Sequence, residues 1–381
     1  MQGREHGDPI FCFLAFRGAQ KRAPVSGAKP SNKRNRLGDR MKKLVYPVSA
    51  IALACLLNTA YAQSSITLYG VVDNGIEYQN GGAGGAVRAV SSGLFATVYG
   101  LTGHEDIGGG VSVDFQLEQG FSGVTGAATD PTASFNRLAW IGVSGRFGEV
   151  RFGRQKKPEY LFLNGEVDPT AVKSFASPIN NFTDASVRAS NAIAYFLPDF
   201  RGLTVQGMVS LRDQTTKPSN GLRFYNVVAR YVHGPFHVGA GYESSANTAG
   251  TSVQKIFRAA ASYRLGAARL YAAYQTERQS DNSEKRDIYE ASGTYLFNPF
   301  NRLSVMYGYA HDRTGHGNNA QQVGLIYEYY LSKSTILYTA AGLIQNRNQA
   351  QYTLDGTQYS GIAVEPGAYA RGVIVGMTHK F

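Results

Sequence analysis

Apolar and polar residues alternate with a period of two through much of the sequence that follows residue 62. The clearest stretch is residues 111–118 (VSVDFQLE), and weaker versions occupy residues 66–77 and 372–378. Alternation of this kind indicates β-strands whose two faces meet different surroundings. After residue 62 no apolar run approaches the roughly 18 residues that a membrane-spanning helix needs. The pattern therefore predicts an all-β protein.

The connections between the predicted strands fall into two length classes that alternate along the chain. Seven short turns are predicted at Glu105–Gly110, Gly145–Gly148, Pro198–Gly202, His233–Pro235, Leu265–Ala267, Asn298–Asn301 and Leu331–Ser334. Eight longer loops are predicted at Asn80–Val90, Gly120–Phe135, Lys156–Val187, Arg212–Leu222, Ser244–Gln254, Gln279–Arg286, Arg313–Asn319 and Asn346–Gly367. Together these connections delimit 16 strands.

This asymmetry of connection lengths predicts a closed barrel in a membrane. Short periplasmic turns, long external loops and an even strand number are typical of bacterial outer-membrane barrels. Closure is required because hydrocarbon offers the backbone amides of an open sheet edge no hydrogen-bond partner. A barrel of 16 strands is too wide for its own side chains to fill, so we expect an aqueous lumen. The alternatives are a smaller barrel and a soluble β-sandwich.

The first 62 residues differ in character from the rest of the chain. Residues 1–40 have no apolar periodicity and are interpreted as an upstream extension, either disordered or preceding the true start. Residues 41–62 combine two lysines, an apolar stretch and small residues ending at Ala62, which indicates a secretory signal peptide. A membrane anchor is the alternative. Residues 63–381 form the predicted barrel domain.

Charge and cysteine content follow the same division. The net charge of +11 falls to +3 in residues 63–381, which hold 27 of the 38 basic and 24 of the 27 acidic residues. The sequence therefore gives no support for a nucleic-acid-binding surface. Cys12 and Cys55 both precede residue 63. A disulfide scaffold, a thiolate metal site and a cysteine nucleophile are thus excluded from the barrel domain.

Five motifs, in order along the chain, resemble the general (non-specific) porins of Gram-negative bacteria, particularly the β-proteobacterial type. They are residues 65–73 (SITLYGVVD), 103–110 (GHEDIGGG), 135–137 with 148–155 (FNR and GEVRFGRQ), 188–203 (RASNAIAYFLPDFRGL) and 378–381 (THKF). The resemblance implies a homotrimeric channel in the bacterial outer membrane for passive diffusion of small hydrophilic solutes and ions. It also implies contact with outer-membrane lipid and recognition of Phe381 by the barrel-assembly machinery.

The resemblance further implies that the third loop, Lys156–Val187, folds into the pore and narrows it. We expect its Glu166 and Asp168 to face the pore, opposite wall arginines. Arg154 and Arg188 match two arginines of the family's cluster, whereas Val98 stands where the family has a third. Weaker anion preference is expected from that loss.

Three other arginines, Arg88, Arg137 and Arg151, are candidates to replace the missing one. Of these, Arg137 and Arg151 are included with Arg154 and Arg188 in the predicted constriction. Strict alternation would turn Arg154 to the same face as Phe152 and Val150. Either a β-bulge at Gly153 turns Arg154 inward, or the set of residues taken as inward is wrong there.

Two other functions fit parts of the sequence. A solute-specific outer-membrane channel for sugars or organic acids is compatible with the abundant tyrosines. A barrel enzyme would need a catalytic cluster, and the one candidate, His311-Asp312-Arg313 with His316, matches no catalytic spacing and is interpreted as a solvated loop. We therefore predict a channel and not an enzyme, with no cofactor and no metal site.

Overall fold

The structure is a computed structural model that describes residues 64–211, 222–247 and 250–381. The interpretations of residues 1–40 and 41–62, and the predicted loop at Arg212–Leu222 apart from its last residue, lie outside the described residues. The described chain is almost entirely β-structure, with three short helices between two of the strands. Among the described residues, no helix is both long enough and apolar enough to cross a membrane.

The strands are β1 (Ser65–Asn80), β2 (Gly85–Ser91), β3 (Val98–Gly108), β4 (Val111–Gly120), β5 (Leu138–Gly145), β6 (Gly148–Lys156), β7 (Arg188–Phe196), β8 (Leu203–Leu211), β9 (Leu222–His233), β10 (Phe236–Ala246), β11 (Val253–Leu265), β12 (Ala268–Gln279), β13 (Lys285–Asn298), β14 (Asn301–Asp312), β15 (Ala320–Tyr330), β16 (Thr335–Asn346) and β17 (Tyr369–Lys380). The helices are α1 (Pro158–Phe162), α2 (Asn164–Val167) and α3 (Pro178–Phe182).

These strands form one antiparallel sheet that closes on itself, because β17 pairs with β1 from Val71–Lys380 to Asn80–Arg371. The segments β2 and β3 share one position in the ring: β2 pairs with residues 74–80 of β1, and β3 pairs with residues 65–71. The barrel therefore has 16 strand positions, which confirms the predicted fold.

One predicted loop is wrong. Residues 80–90 are strand for most of their length, and only residues 81–84 make the connection between β1 and β2. The glycines around this segment obscured the alternation of residues 85–91 (GAVRAVS), in which Val87 is 73% exposed and Val90 is buried. All seven predicted short turns fall where consecutive strands meet, but the one predicted at Glu105–Gly110 begins too early, because β3 continues to Gly108.

The two faces of the wall differ as a membrane requires. On β15, the outward Val323, Leu325 and Tyr327 are exposed, while the inward Gln322 and Glu328 are each 1% exposed. Large apolar side chains on the outer face match hydrocarbon, and the polar side chains lie inside, as in barrels that carry water.

The third loop, residues 157–187, carries the three helices and lies against the inner wall. Its Leu163, Phe175, Ile179 and Phe182 are completely buried and share one apolar cluster with inward side chains of β13–β16. Fully burying an apolar side chain contributes about 1.5–3 kcal/mol, so this contact holds the loop firmly to that wall.

Glycines on the wall make room for this loop. A Cβ atom at Gly324 would lie 1.9 Å from the carbonyl oxygen of Ala176, and one at Gly308 would lie 2.2 Å from Cβ of Pro178. Gly324 and Gly342 are direct partners across β15 and β16. The loop backbone thus approaches the wall at positions where any side chain would displace it.

Candidate pore constriction

The pairing of β6 with β7 is irregular beside Arg154. The register against β7 shifts between Gly153 and Gln155, and Gly153 has a φ of +118°. Nε of Arg154 donates to the carbonyl oxygen of Asn136 at 2.7 Å, and its Nη1 donates to Oγ of Ser190 at 2.7 Å.

Gly153 pairs with Ala192 and Gln155 with Ala189, so the extra residue lies on β7, where Asn191 has a φ of +52°. The register of β6 with β5 is unbroken, and the prediction of a bulge in β6 at Gly153 is therefore wrong about the strand.

Five basic side chains lie close to one another around this β7 bulge, on β6, β7, the residue before β5 and the third loop. We call them the basic cluster: Arg137, Arg154, Lys156, Lys173 and Arg188. Lys156 interacts electrostatically with Arg137, Lys173 and Arg188, and Arg188 does so with Arg154. The ammonium groups of Lys156 and Lys173 lie 5.6 and 5.7 Å from the centre of the Tyr160 ring. Tyr160 thereby joins the loop to the wall within the cluster.

Negative charge within this cluster is sparse. The carboxylate of Glu118 is buried and accepts from Nε of Arg137 at 2.7 Å and from the hydroxyl of Tyr69 at 2.9 Å. Asp130, which acts on Arg154 from the second loop, is exposed to solvent. Among the described residues, Nε of Arg188 is buried without a hydrogen-bond partner. The cluster consequently has a surplus of positive charge.

Glu166 does not face the pore, so that expectation is wrong. It is 1% exposed, and its carboxylate contacts Nη2 of Arg269 at 2.5 Å, Oγ of Ser262 at 2.5 Å and Nδ1 of His237 at 3.0 Å. Nη1 of Arg230 lies 3.7 Å away. These partners all belong to β9–β12, and sequence motifs had given no reason to expect them there. The N–H and O–H groups of these wall side chains hold the carboxylate of Glu166 against the wall.

The surroundings of Glu166 favour its ionised form. Burial raises the pKa of this carboxyl, but the hydrogen bonds from His237 and Ser262 and the charge of Arg269 outweigh burial. The pKa of Glu166 therefore lies below the ordinary glutamate value of 4.5.

Asp168 is also buried, and the expectation that it faces the pore is wrong as well. It is 1% exposed and accepts hydrogen bonds within the loop from the backbone N–H and hydroxyl of Thr170, both at 2.6 Å, and from the hydroxyl of Ser177 at 2.6 Å. A short aspartate that bonds nearby backbone and hydroxyl groups is a common loop-stabilising arrangement. Asp168 thus shapes the loop.

The other acids of the third loop are paired with arginines of the wall. Glu159 lies 3.1 Å from Nε of Arg258, and Asp184 forms an ion pair with Arg286. These wall arginines were missed because they lie outside the recognised motifs. Alternation alone could have found them, since Arg258 follows the buried Ile256 at a spacing of two.

The three candidates to replace the family arginine missing at Val98 lie in different surroundings. Arg137 lies in the basic cluster. Arg151 points inward but pairs with Glu149 at 2.5 Å, and its guanidinium carbon lies 4.1 Å from the ring centre of Trp140 and 4.5 Å from that of Phe196.

Arg88 is also held elsewhere, by Glu77 at 2.5 Å. Val98, at the position of the missing arginine, is buried.

The residues weighed for enzymatic chemistry form a turn. Oδ1 of Asp312 accepts from Thr314, its Oδ2 accepts from the backbone of Asn318, and His311 contacts Asn319. Within the described ranges, no group of three or more His, Cys, Asp or Glu side chains is placed to hold a metal ion.

A closed barrel with an apolar exterior, a charged interior and a loop folded against its inner wall defines the class of outer-membrane channels. Residues 48–349 match the family described as Gram-negative porin. The chain belongs to the Gram-negative porin family and is an outer-membrane channel rather than an enzyme.

Individual relatives agree with this assignment. The chain is 30% identical over 352 residues to outer membrane porin protein 32 of Delftia acidovorans, covering 87% of this chain and 99% of the relative. It is 28% identical over 318 residues to major outer membrane protein P.IB of Neisseria meningitidis, covering 78% of this chain and 93% of the relative.

Solved structures show the same fold. The anion-selective porin from Comamonas acidovorans superposes with a TM-score of 0.74 at 25% identity, covering 84% of this chain and all of that one. OmpT of Vibrio cholerae superposes with a TM-score of 0.64 at 15% identity, covering 84% of this chain and all of that one, a likeness of fold alone.

Proposed function

We propose that this porin prefers anions and that the basic cluster is its selectivity-determining constriction. The observation that carries the proposal is the imbalance between basic and acidic groups: five basic side chains lie around one carboxylate, Glu118, while the carboxylates of the third loop are buried or paired with arginines. Rings of fixed charge bias which ions enter a pore. A low-dielectric wall strengthens that bias by focusing the field.

This proposal replaces the expectation that acids of the third loop face wall arginines across the pore. Glu166 and Asp168 cannot present negative charge to a passing solute, because each is 1% exposed. Lys173 instead adds a positive charge from the loop, beside Tyr160. We expect an anion to pass from one basic side chain to the next and to keep part of its hydration shell.

The relatives support the proposal by analogy. The Comamonas acidovorans porin is described as anion-selective, and Arg154 and Arg188 occupy motif positions that the family resemblance assigns to a wall cluster. The arginine that Val98 replaces has a counterpart in Arg137, which reaches the same cluster from the residue before β5. Loss of one family arginine is therefore compatible with anion preference.

Liposome swelling separates a general porin from a solute-specific channel. Purified protein is reconstituted and challenged with neutral sugars of increasing size and with organic acids of matched size. For a general, anion-preferring porin, we expect rates that fall smoothly with size and a uniform advantage for the acids. A swelling rate for one solute far above the rates of other solutes of its size would instead favour a specific channel.

We also propose a homotrimer whose contact uses the outer faces of the early and late strands. Ile66, Leu68 and Ile76 on β1 and Val375 on β17 are more than 60% exposed in the single chain. A related fold, OmpT of Vibrio cholerae, is described in a trimer form. Native electrophoresis and cross-linking test this, and a protein that migrates only as a monomer would contradict it.

Phe381 is proposed as the signal for the barrel-assembly machinery. Its backbone pairs with Gly70 on β1, and its ring covers that glycine. Because the ring is 57% exposed on the barrel exterior, Phe381→Ala should leave the pore intact while lowering the yield of assembled barrel in cells. An unchanged yield would remove this role.

A further inference from the structure

Four hydrogen-bonding side chains on neighbouring strands surround the carboxylate of Glu166. They are Arg230 on β9, His237 on β10, Ser262 on β11 and Arg269 on β12. His237 and Ser262 are direct partners across β10 and β11. The group is therefore built entirely by the barrel wall, and the third loop contributes only the carboxylate that it surrounds.

The wall side chains also orient one another. Nη2 of Arg269 donates to Oγ of Ser262 at 2.8 Å. The guanidinium carbon of Arg269 lies 5.1 Å from the centre of the Tyr271 ring. Donors that are fixed before a ligand arrives bind it with a smaller loss of conformational entropy.

The chemistry of this group matches a carboxylate. Both oxygens of Glu166 are engaged, Oε2 by Arg269 and Ser262 and Oε1 by His237 and Arg230. Charge-assisted bonds of this kind are short and among the strongest polar contacts in proteins. The side chains of Arg230 and His237 are 21% and 25% exposed, so a solute in the lumen can reach them.

We propose that Arg230, His237, Ser262 and Arg269 form a carboxylate-binding site on the pore wall, that Glu166 is its tethered occupant, and that small carboxylate solutes compete with it. The proposal rests on the proposed anion preference and deepens it by naming the class of anion that the wall binds. It also makes Glu166 a positioning residue, since the same contact holds the middle of the third loop against β9–β12.

Tethering predicts how the site behaves in the intact protein. A side chain held nearby by a short linker acts as a ligand at roughly millimolar concentration or above. Free carboxylates at lower concentrations should therefore bind the intact protein weakly. Removing the Glu166 side chain should expose the site and let a small carboxylate such as acetate replace it.

The binding test uses saturation-transfer NMR with acetate as the probe and the full chain in detergent micelles, where both ends of the pore are accessible. We expect saturable transfer in Glu166→Ala, with half-saturation on the order of 1–10 mM for so small a ligand. The intact protein should show less transfer at the same concentration, because Glu166 competes for the site. The double variant Glu166→Ala with Arg269→Gln is the matched control and should lose the signal.

A second measurement tests the positioning role by chemical rescue. Single-channel current through Glu166→Ala should be noisier than that of the intact protein, and 20 mM potassium acetate should quiet it while 20 mM potassium chloride should not. Arg269→Gln should be noisy and insensitive to acetate. A merely structural loss would give noise that acetate does not change.

Three results would overturn the proposal: no saturable acetate signal in Glu166→Ala, an equal signal in the double variant, or noise without rescue. If Glu166→Ala refolds poorly, acetate should raise its yield of heat-modifiable barrel, and an acetate-independent yield would count against the site. Anion preference is judged separately from the zero-current potential of the intact protein, so the two proposals can fail independently.

Discussion

Two regions of the barrel interior are rich in basic side chains, but they differ in how many acidic side chains lie beside them. Around β6 and β7 the basic cluster has five basic side chains and one closely bonded carboxylate, Glu118. Along β9–β13, by contrast, the arginines are matched to the acids of the third loop, as in Arg269 with Glu166 and Arg286 with Asp184. In the proposed function the unmatched charge acts on solutes, whereas the matched charge holds the loop.

The largest expected effect comes from reversing one charge of the basic cluster. Arg188→Glu should move the zero-current potential in a salt gradient toward cation preference. For charges about 10 Å from the ion path, Coulomb's law in water predicts a change of roughly tenfold in the anion-to-cation permeability ratio at low salt. No shift would remove Arg188 from the constriction.

Varying the salt concentration tests the difference between the basic cluster and the buried ion pairs without a mutation. The Debye length is about 10 Å at 0.1 M salt and about 3 Å at 1 M, so high salt screens the basic cluster. Anion preference should fall several-fold between these concentrations. The buried pairs along β9–β13 are screened less, and the open-channel noise should therefore change little. A preference that does not depend on salt would contradict a charge-based constriction.

The barrel and this constriction were predictable from the sequence to different degrees. Period-two alternation and connection lengths identified the 16 strand positions, because both follow directly from the two faces of the wall. The first loop was misplaced, since the glycines around β2 obscured its alternation. Arg137, Arg154 and Arg188 were identified from motifs.

The orientation of the loop acids was not predictable in the same way. Whether Glu166 faces water or the wall depends on Arg269, which is 103 positions away and lies beside it only after the barrel has closed. Lys173 was assigned to the loop, but its approach to Lys156 through Tyr160 depends on the folded loop. Local sequence patterns predict which face of a strand a side chain occupies. Whether a loop side chain faces water or the wall depends on partners that are distant in the sequence.

The wall that holds the loop can be challenged by filling its glycines. Gly324→Val should push the backbone at Ala176 away from β15 and toward the lumen, which lowers conductance by roughly half and destabilises the barrel by about 1–3 kcal/mol. Single-channel recording and thermal unfolding measure the two effects. Gly207→Ala on β8 is the control, since the nearest atom to its added Cβ lies 3.7 Å away. Equal effects of the two substitutions would argue against a close approach of the loop backbone to the wall at Gly324.

Acid should loosen the contact of Glu166 with the wall. Because its pKa is lowered on folding, ionised Glu166 stabilises the loop above pH 4.5, and this stability is lost as pH falls through the lowered pKa. Current noise should therefore rise on acidification below about pH 4.5. Glu166→Gln should lack this component, and an identical acid response in that variant would show that another group is responsible.

The smallest effect is expected at Arg151. It points into the lumen, but it is paired with Glu149 and stacked between Trp140 and Phe196. Arg151→Gln should change the permeability ratio by less than about a third of the change caused by Arg188→Gln, because the local charge is already matched. A comparable change in both variants would erase the distinction between matched and unmatched charge.

We propose that unmatched positive charge near β6 and β7 sets the selectivity of this porin. The most direct test is the zero-current potential of the purified, unmutated protein in a planar bilayer with a tenfold potassium chloride gradient at low salt. We expect the sign given by a pore that chloride crosses more easily than potassium. A potential near zero, or one of the sign set by potassium, would contradict it.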